Sequence, residues 1–107
     1  MPTATITKLD LKAKFLSALA EPTRLAIVEY LREDERSVGD IVEHLGYPQS
    51  RISNHLACLR NCQVVSTRNQ GQQVFYRIKH DQAKRILDLT DQMVAAHARE
   101  ILACTRV

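Results

Sequence analysis

Apolar side chains recur at three- to four-residue spacing near the start of the chain. Ile6, Leu9, Ala13, Leu16 and Ala20 share one face, with Phe15 and Leu19 alongside, and this predicts an amphipathic helix over residues 7–20. EPTRLAIVEYLRE follows, with Pro22 suited to a first helical turn and Leu25, Ile27, Val28 and Leu31 as the apolar face of a second helix. Ser37 reads as the N-cap of SVGDIVEHL, with Asp40 three residues later and Gly46 as its stop. A fourth helix, YPQSRISNHLACLRNC, begins near Pro48, and its Ile52, Leu56 and Leu59 form a single buried stripe. The period then changes. VVSTRN and QVFYRIK are β-branched and aromatic runs separated by Gln70, Gly71 and Gln72, which predicts a hairpin with glycine at the turn. A last helix runs from near Asp81 to about Cys104, with Ile86, Leu87, Met93, Val94, Ile101 and Leu102 as its apolar positions.

This order predicts a mainly α fold with one β-hairpin, a winged helix-turn-helix in a single domain over residues 1–107. A chain of 107 residues buries only about two-thirds of its unfolded surface, so a domain of this kind is often completed by a partner. Few aromatics and only three glycines agree with a helical chain. The opening MPTATITKLDLKAKF lacks the apolar run of a signal peptide, and no stretch approaches the roughly 18 apolar residues of a membrane span. A cytoplasmic protein with no membrane partner is expected.

Charge sharpens the picture. From His44 to His80 there is no Asp or Glu, against the basic residues Arg51, Arg60, Arg68, Arg77 and Lys79. A chain that clears carboxylates from a continuous third of its length makes that third attractive to a polyanion. The fourth helix begins with small polar side chains, as entry into a DNA major groove requires. Ser50, Arg51, Ser53, Asn54 and His55 are its candidate DNA contacts, and Arg68, Gln70, Gln72 and Arg77 those of the wing, with Gln73 near the wing's tip. Each has a structural alternative, the serines as caps and Arg77 as a partner for a neighbouring carboxylate. No nucleophile with a paired base, glycine-rich phosphate loop or cofactor motif is present, so an enzyme is not expected.

LSALAEPTRLAIVEYL, SVGDIVEHLGYPQSRISNHLACLR and GQQVFYRI together resemble the ArsR/SmtB family of metal-responsive transcriptional repressors over nearly the whole chain. The resemblance implies a homodimer through the first and last helices, bound to double-stranded, roughly palindromic operator DNA.

The three cysteines then acquire a role. At about 100° per residue, Arg51, His55, Cys58 and Cys62 fall within about 60° of one another, on a stripe apart from Ile52, Leu56 and Leu59. Residues four apart are helical neighbours, so both sulfurs could reach one soft ion, and Cys104 is the remaining cysteine. L-A-C-L-R-N-C is similar to the motif of the family's CmtR-type cadmium and lead sensors, which implies a site of Cys58, Cys62 and Cys104, the last from the other subunit. Cadmium or lead is the expected inducer, with mercury, zinc and copper(I) as other thiophilic candidates. Further family sites are incomplete. His97 and Glu100 supply the H-x-x-E of the zinc and nickel sensors, but Lys84 and Ile86 stand where its other ligands belong, and the third helix has no C-x-C pair. His97 is an interface residue or an auxiliary ligand. The alternative to metal sensing is a thiol-redox repressor of the same fold, and the alternative for Cys58 and Cys62 is that they are small buried fillers.

Overall fold

The computed structural model describes residues 5–104. Five helices and a small sheet follow one another as α1 (Lys8–Ala20), α2 (Pro22–Tyr30), β1 (Arg36–Ser37), α3 (Val38–Leu45), α4 (Gln49–Asn61), β2 (Val65–Gln70), β3 (Gln73–Ile78) and α5 (Asp81–Ala103). This is the winged helix-turn-helix that the periodicity predicts, and each helix starts within a residue or two of its expected position.

The ends have local causes. Thr7 and Asp10 form a reciprocal capping box on α1: the Asp10 N–H donates to Thr7 Oγ1 at 3.1 Å and the Thr7 N–H donates to Asp10 Oδ2 at 2.9 Å. Those hydrogen bonds hold the Asp10 carboxyl below the usual carboxylate range. α2 opens with Pro22 at its start and Glu21 accepting from the Arg24 N–H at 2.8 Å. Ser37 caps α3, its hydroxyl accepting from the Asp40 N–H at 3.0 Å, and Gly46 closes the helix at φ 76°, a left-handed conformation that favours glycine. Ser37 is itself buried, so Ser37→Ala should cost about 1 kcal/mol and lower the urea midpoint of unfolding without changing its slope.

One element escaped the periodicity. Arg36 and Ser37 pair with Tyr76 and Phe75, so the expected hairpin is the larger part of a three-stranded antiparallel sheet ordered β1-β3-β2. Two residues are too few to show an alternation. The hairpin's last pair is Gln70 with Gln73, leaving Gly71 and Gln72 as the turn, with Gly71 at φ 61°.

The core gathers Ile27, Val28 and Leu31 of α2, Ile41 of α3, Ile52, Leu56 and Leu59 of α4, Val64, Val65 and Ile78 at the base of the wing, and Leu87 of α5. The predicted stripe of α4 is therefore its buried face, and all three of its residues are fully enclosed. α5 is fastened to α2 by Arg32, which donates to Asp88 and lies 2.8 Å from an Asp91 carboxylate oxygen. α2 also meets α3 through Tyr30 and His44, whose rings stack with centroids 3.8 Å apart.

A second set of apolar side chains is left uncovered by the described residues. Leu9 of α1 is 74% exposed, Met93 of α5 is 58% exposed, and Ile6, Leu16, Leu89, Val94, Ile101 and Leu102 accompany them on the outside. These include most of the apolar positions assigned from sequence to the first and last helices. α5 is interrupted at His97, whose φ of −131° and ψ of 25° are not helical. No helix among the described residues is long and apolar enough to cross a membrane.

Candidate nucleic-acid interface and thiol site

α4 presents two different surfaces at its two ends. At the start, Ser50, Arg51, Ser53 and Asn54 are exposed, and Pro48 precedes the helix without a side-chain cap. Arg51 is partly organised already. Its guanidinium lies 4.1 Å from the Tyr47 ring centroid, and its Nη2 donates to Thr23 Oγ1 at 3.2 Å. Stacking of this kind orders an arginine while leaving its other donors available.

His55 differs from these four. Its side chain is only 20% exposed, with Nδ1 at 3.4 Å from Arg24 Nη1 and 3.8 Å from Glu21 Oε2. Arg24 also donates from Nε to the Ala18 carbonyl at 2.8 Å and from Nη2 to the Ser17 carbonyl at 2.9 Å, which closes the end of α1. His55 thus faces the junction of α1 and α2, whereas sequence spacing grouped it with the DNA-facing side chains. The Arg24 N–H holds the Glu21 carboxyl below its ordinary range, so Glu21 is ionised beside this arginine at neutral pH.

The wing stands next to the start of α4. Gln72, Gln73, Val74 and Tyr76 line a cleft of about 480 Å³ whose other wall includes Gln49 and Ser53 of α4 and Ser37. Gln49 was missed from sequence, although a polar residue in the first turn of a groove-entering helix was signal enough. Arg77 donates from Nε to Ser66 Oγ at 3.3 Å. Gln70 accepts from Arg68 Nη1 at 2.7 Å, and Arg68 in turn is bonded to Glu35. Glu35 lies outside the stretch that lacks carboxylates, and the fold carries it to the wing.

At the far end of α4, Cys58 and Cys62 are both half-buried and one turn apart. The Cys62 N–H donates to the Cys58 carbonyl at 3.0 Å and closes the helix, after which Gln63 takes a left-handed φ of 67°. Cys62 packs against the edge of the core. Burial pushes its thiol up, the adjacent Cys58 pushes the same way, and the cations Lys14 and Arg24 oppose both. The pair thus has part of a filler's surroundings without being fully buried. Cys104 is exposed at the C-cap of α5, and His97 is exposed within that helix. Among the described residues of one chain, no three His, Cys, Asp or Glu side chains come together as a metal-holding group. One chain therefore offers two cysteines one turn apart at the end of α4, donors of the kind that suits a soft ion.

The family described as "Bacterial regulatory protein, arsR family" matches residues 21–67, which run from the start of α2 into β2. A Streptomyces lividans protein named as a probable mercury resistance operon repressor is 36% identical over 98 residues, an alignment covering 92% of this chain and 78% of that protein. The HTH-type transcriptional regulator CmtR of Mycobacterium bovis is 38% identical over 84 residues, covering 78% of this chain and 71% of its own length. Among solved structures, a homodimeric winged helix-turn-helix DNA-binding domain from Mycobacterium bovis superposes with a TM-score of 0.80 at 28% identity, over 94% of this chain and 95% of that one.

Proposed function

Since the chain belongs to the ArsR family of bacterial regulatory proteins, we propose that it is a homodimeric transcriptional repressor, not an enzyme, released from operator DNA by a soft thiophilic metal ion. The observation that carries this reading is the placement of Cys58 and Cys62 on α4, the same helix whose first turn exposes Ser50, Arg51, Ser53 and Asn54. A change at one end of a packed helix is felt at the other, because the helix moves against its neighbours as a rod.

The residues divide the work. α4 enters the major groove, its polar first turn reading base edges while Arg51 and the wing's Gln70, Gln72 and Arg77 meet the backbone. The uncovered apolar faces of α1 and α5 pack against a second copy, which sets the spacing of the two recognition helices. Cys58 and Cys62 bind the inducing ion as thiolates, and Cys104 of the second subunit completes the set. With an ion held by these thiols, the C-terminal end of α4 would be tied to the other subunit and the helix turned out of register with the groove. Cadmium and lead suit the CmtR-like pattern, and the resemblance to a probable mercury resistance operon repressor supports mercury as a further candidate.

The test is an operator-binding assay on DNA upstream of the protein's own gene, run with cadmium, lead, mercury, zinc and copper(I) salts and, separately, with a thiol oxidant under anaerobic control. Release by a metal with no oxidant present supports the proposal; release by the oxidant alone selects the thiol-redox alternative. The response should also depend on pH. Burial raises the Cys62 thiol, so at neutral pH it holds a proton that the ion must displace. Metal affinity should therefore climb with pH, by up to about tenfold per unit for each thiol proton released, and level off only above the raised value. A titration followed at the sulfur-to-metal charge-transfer band measures this.

A further inference from the structure

One of the wing's two arginines is already paired with a carboxylate. Arg68 on β2 stands opposite Phe75, and its guanidinium carbon lies 4.7 Å from the centre of that ring. Ser37 flanks Phe75 on its other side, and Glu35, two residues before Ser37, shares its side of the sheet. The Glu35 carboxylate accepts from Arg68 Nε at 2.9 and 3.0 Å and also from Nη2. Arg68 in return holds the Glu35 carboxyl below its usual range. The side chains remain 47% and 28% exposed respectively, so a DNA phosphate can approach the arginine but meets a neutral pair.

We propose that Glu35 limits sequence-independent DNA binding by competing with phosphate for Arg68. The inference rests on the DNA-binding reading above. Attraction of a protein to DNA of arbitrary sequence is almost entirely the release of counterions by its unpaired cations, whereas operator binding also draws on base contacts. A cation already neutralised by its own protein releases no counterion. Masking one arginine therefore removes a larger share of arbitrary binding than of operator binding. The surroundings favour such masking, because Glu33 and Asp34 adjoin Glu35 on the loop facing the wing, and Arg77 is the other cation acting on Glu35.

The experiment uses the full chain and a labelled mixed-sequence DNA duplex, with affinity measured across a salt series for the wild type, Glu35→Gln, Arg68→Gln and the double variant. Glu35→Ala repeats the measurement with a side chain that cannot accept from Arg68 at all. Freeing Arg68 should tighten binding about five- to tenfold near ~0.1 M salt and steepen the plot of log affinity against log salt by about 0.9. In the Arg68→Gln background the same change at position 35 should tighten binding by less than about twofold, since only its general charge remains. Weakened or unchanged binding by Glu35→Gln and Glu35→Ala would overturn the proposal and make the carboxylate a support for the arginine. Equal tightening in both backgrounds would also overturn it, reducing the effect to net charge. A wild-type protein that binds no duplex even at low salt would instead remove the DNA-binding reading itself.

Discussion

With Cys58 and Cys62 both changed to serine, the protein should stay on its operator at metal concentrations that release the wild type. The wild type is expected to lose about 5-fold to 150-fold in operator affinity when the ion binds, equivalent to a coupling of about 1 to 3 kcal/mol, and the double variant should show a ratio near one. Serine preserves the size of the side chain and removes the soft donor. Both positions are half-buried and off the Ile52, Leu56 and Leu59 stripe, so the fold and the DNA-reading first turn should persist. Cys62 touches the core edge, and a modest fall in melting temperature is expected at that position. Fluorescence anisotropy of labelled operator, read with and without metal, decides the matter. Full metal-induced release in the double variant would locate sensing elsewhere. Cys104→Ser alone should weaken the metal response without erasing it, since two thiolates remain on α4.

Charging the uncovered face should do more damage. Leu9→Glu combined with Met93→Glu leaves the buried core untouched, because both side chains are exposed in the isolated chain. In a dimer both would be buried, and an unpaired carboxylate there is costly. The variant should sediment as a monomer at micromolar concentration. Its operator affinity should fall by at least about 100-fold, because the second half-site is no longer reached as an intramolecular event. A variant that keeps both its dimeric mass and its affinity would show that α1 and α5 do not form the interface.

Much of the fold was legible because its signals are local. Pro22 begins α2, Ser37 and Gly46 bracket α3, and the switch from helical spacing to β-branched runs marks the wing. The stripe Ile52, Leu56 and Leu59 needed only the helical period to be identified as the buried face of α4. What escaped depends on where other elements lie. The angular argument correctly separated His55, Cys58 and Cys62 from the core stripe, but could not say that His55 would meet Arg24 and Glu21 at the α1–α2 junction. The stretch free of carboxylates from His44 to His80 is a fact of the sequence, and Glu35 enters that region only through the pairing of β1 with β3. β1 itself is two residues long, too short to carry a period. For the last helix, alternation of apolar and polar positions identified a buried face without distinguishing burial inside the chain from burial against a second one. Leu87 is enclosed by the chain, and Val94, two turns on along the same face, is left outside.

The interruption at His97 divides α5 into a long shaft and a short tip. An unbroken helix would pass any tilt of its shaft to its end as a lever does, magnified by distance. The kink at His97 turns the tip away from the axis of the shaft, so Cys104 is carried off that line. On the proposed reading of Cys104 as a ligand, that bend would decide where its thiol is offered to the other subunit, and a straightened α5 would offer it elsewhere.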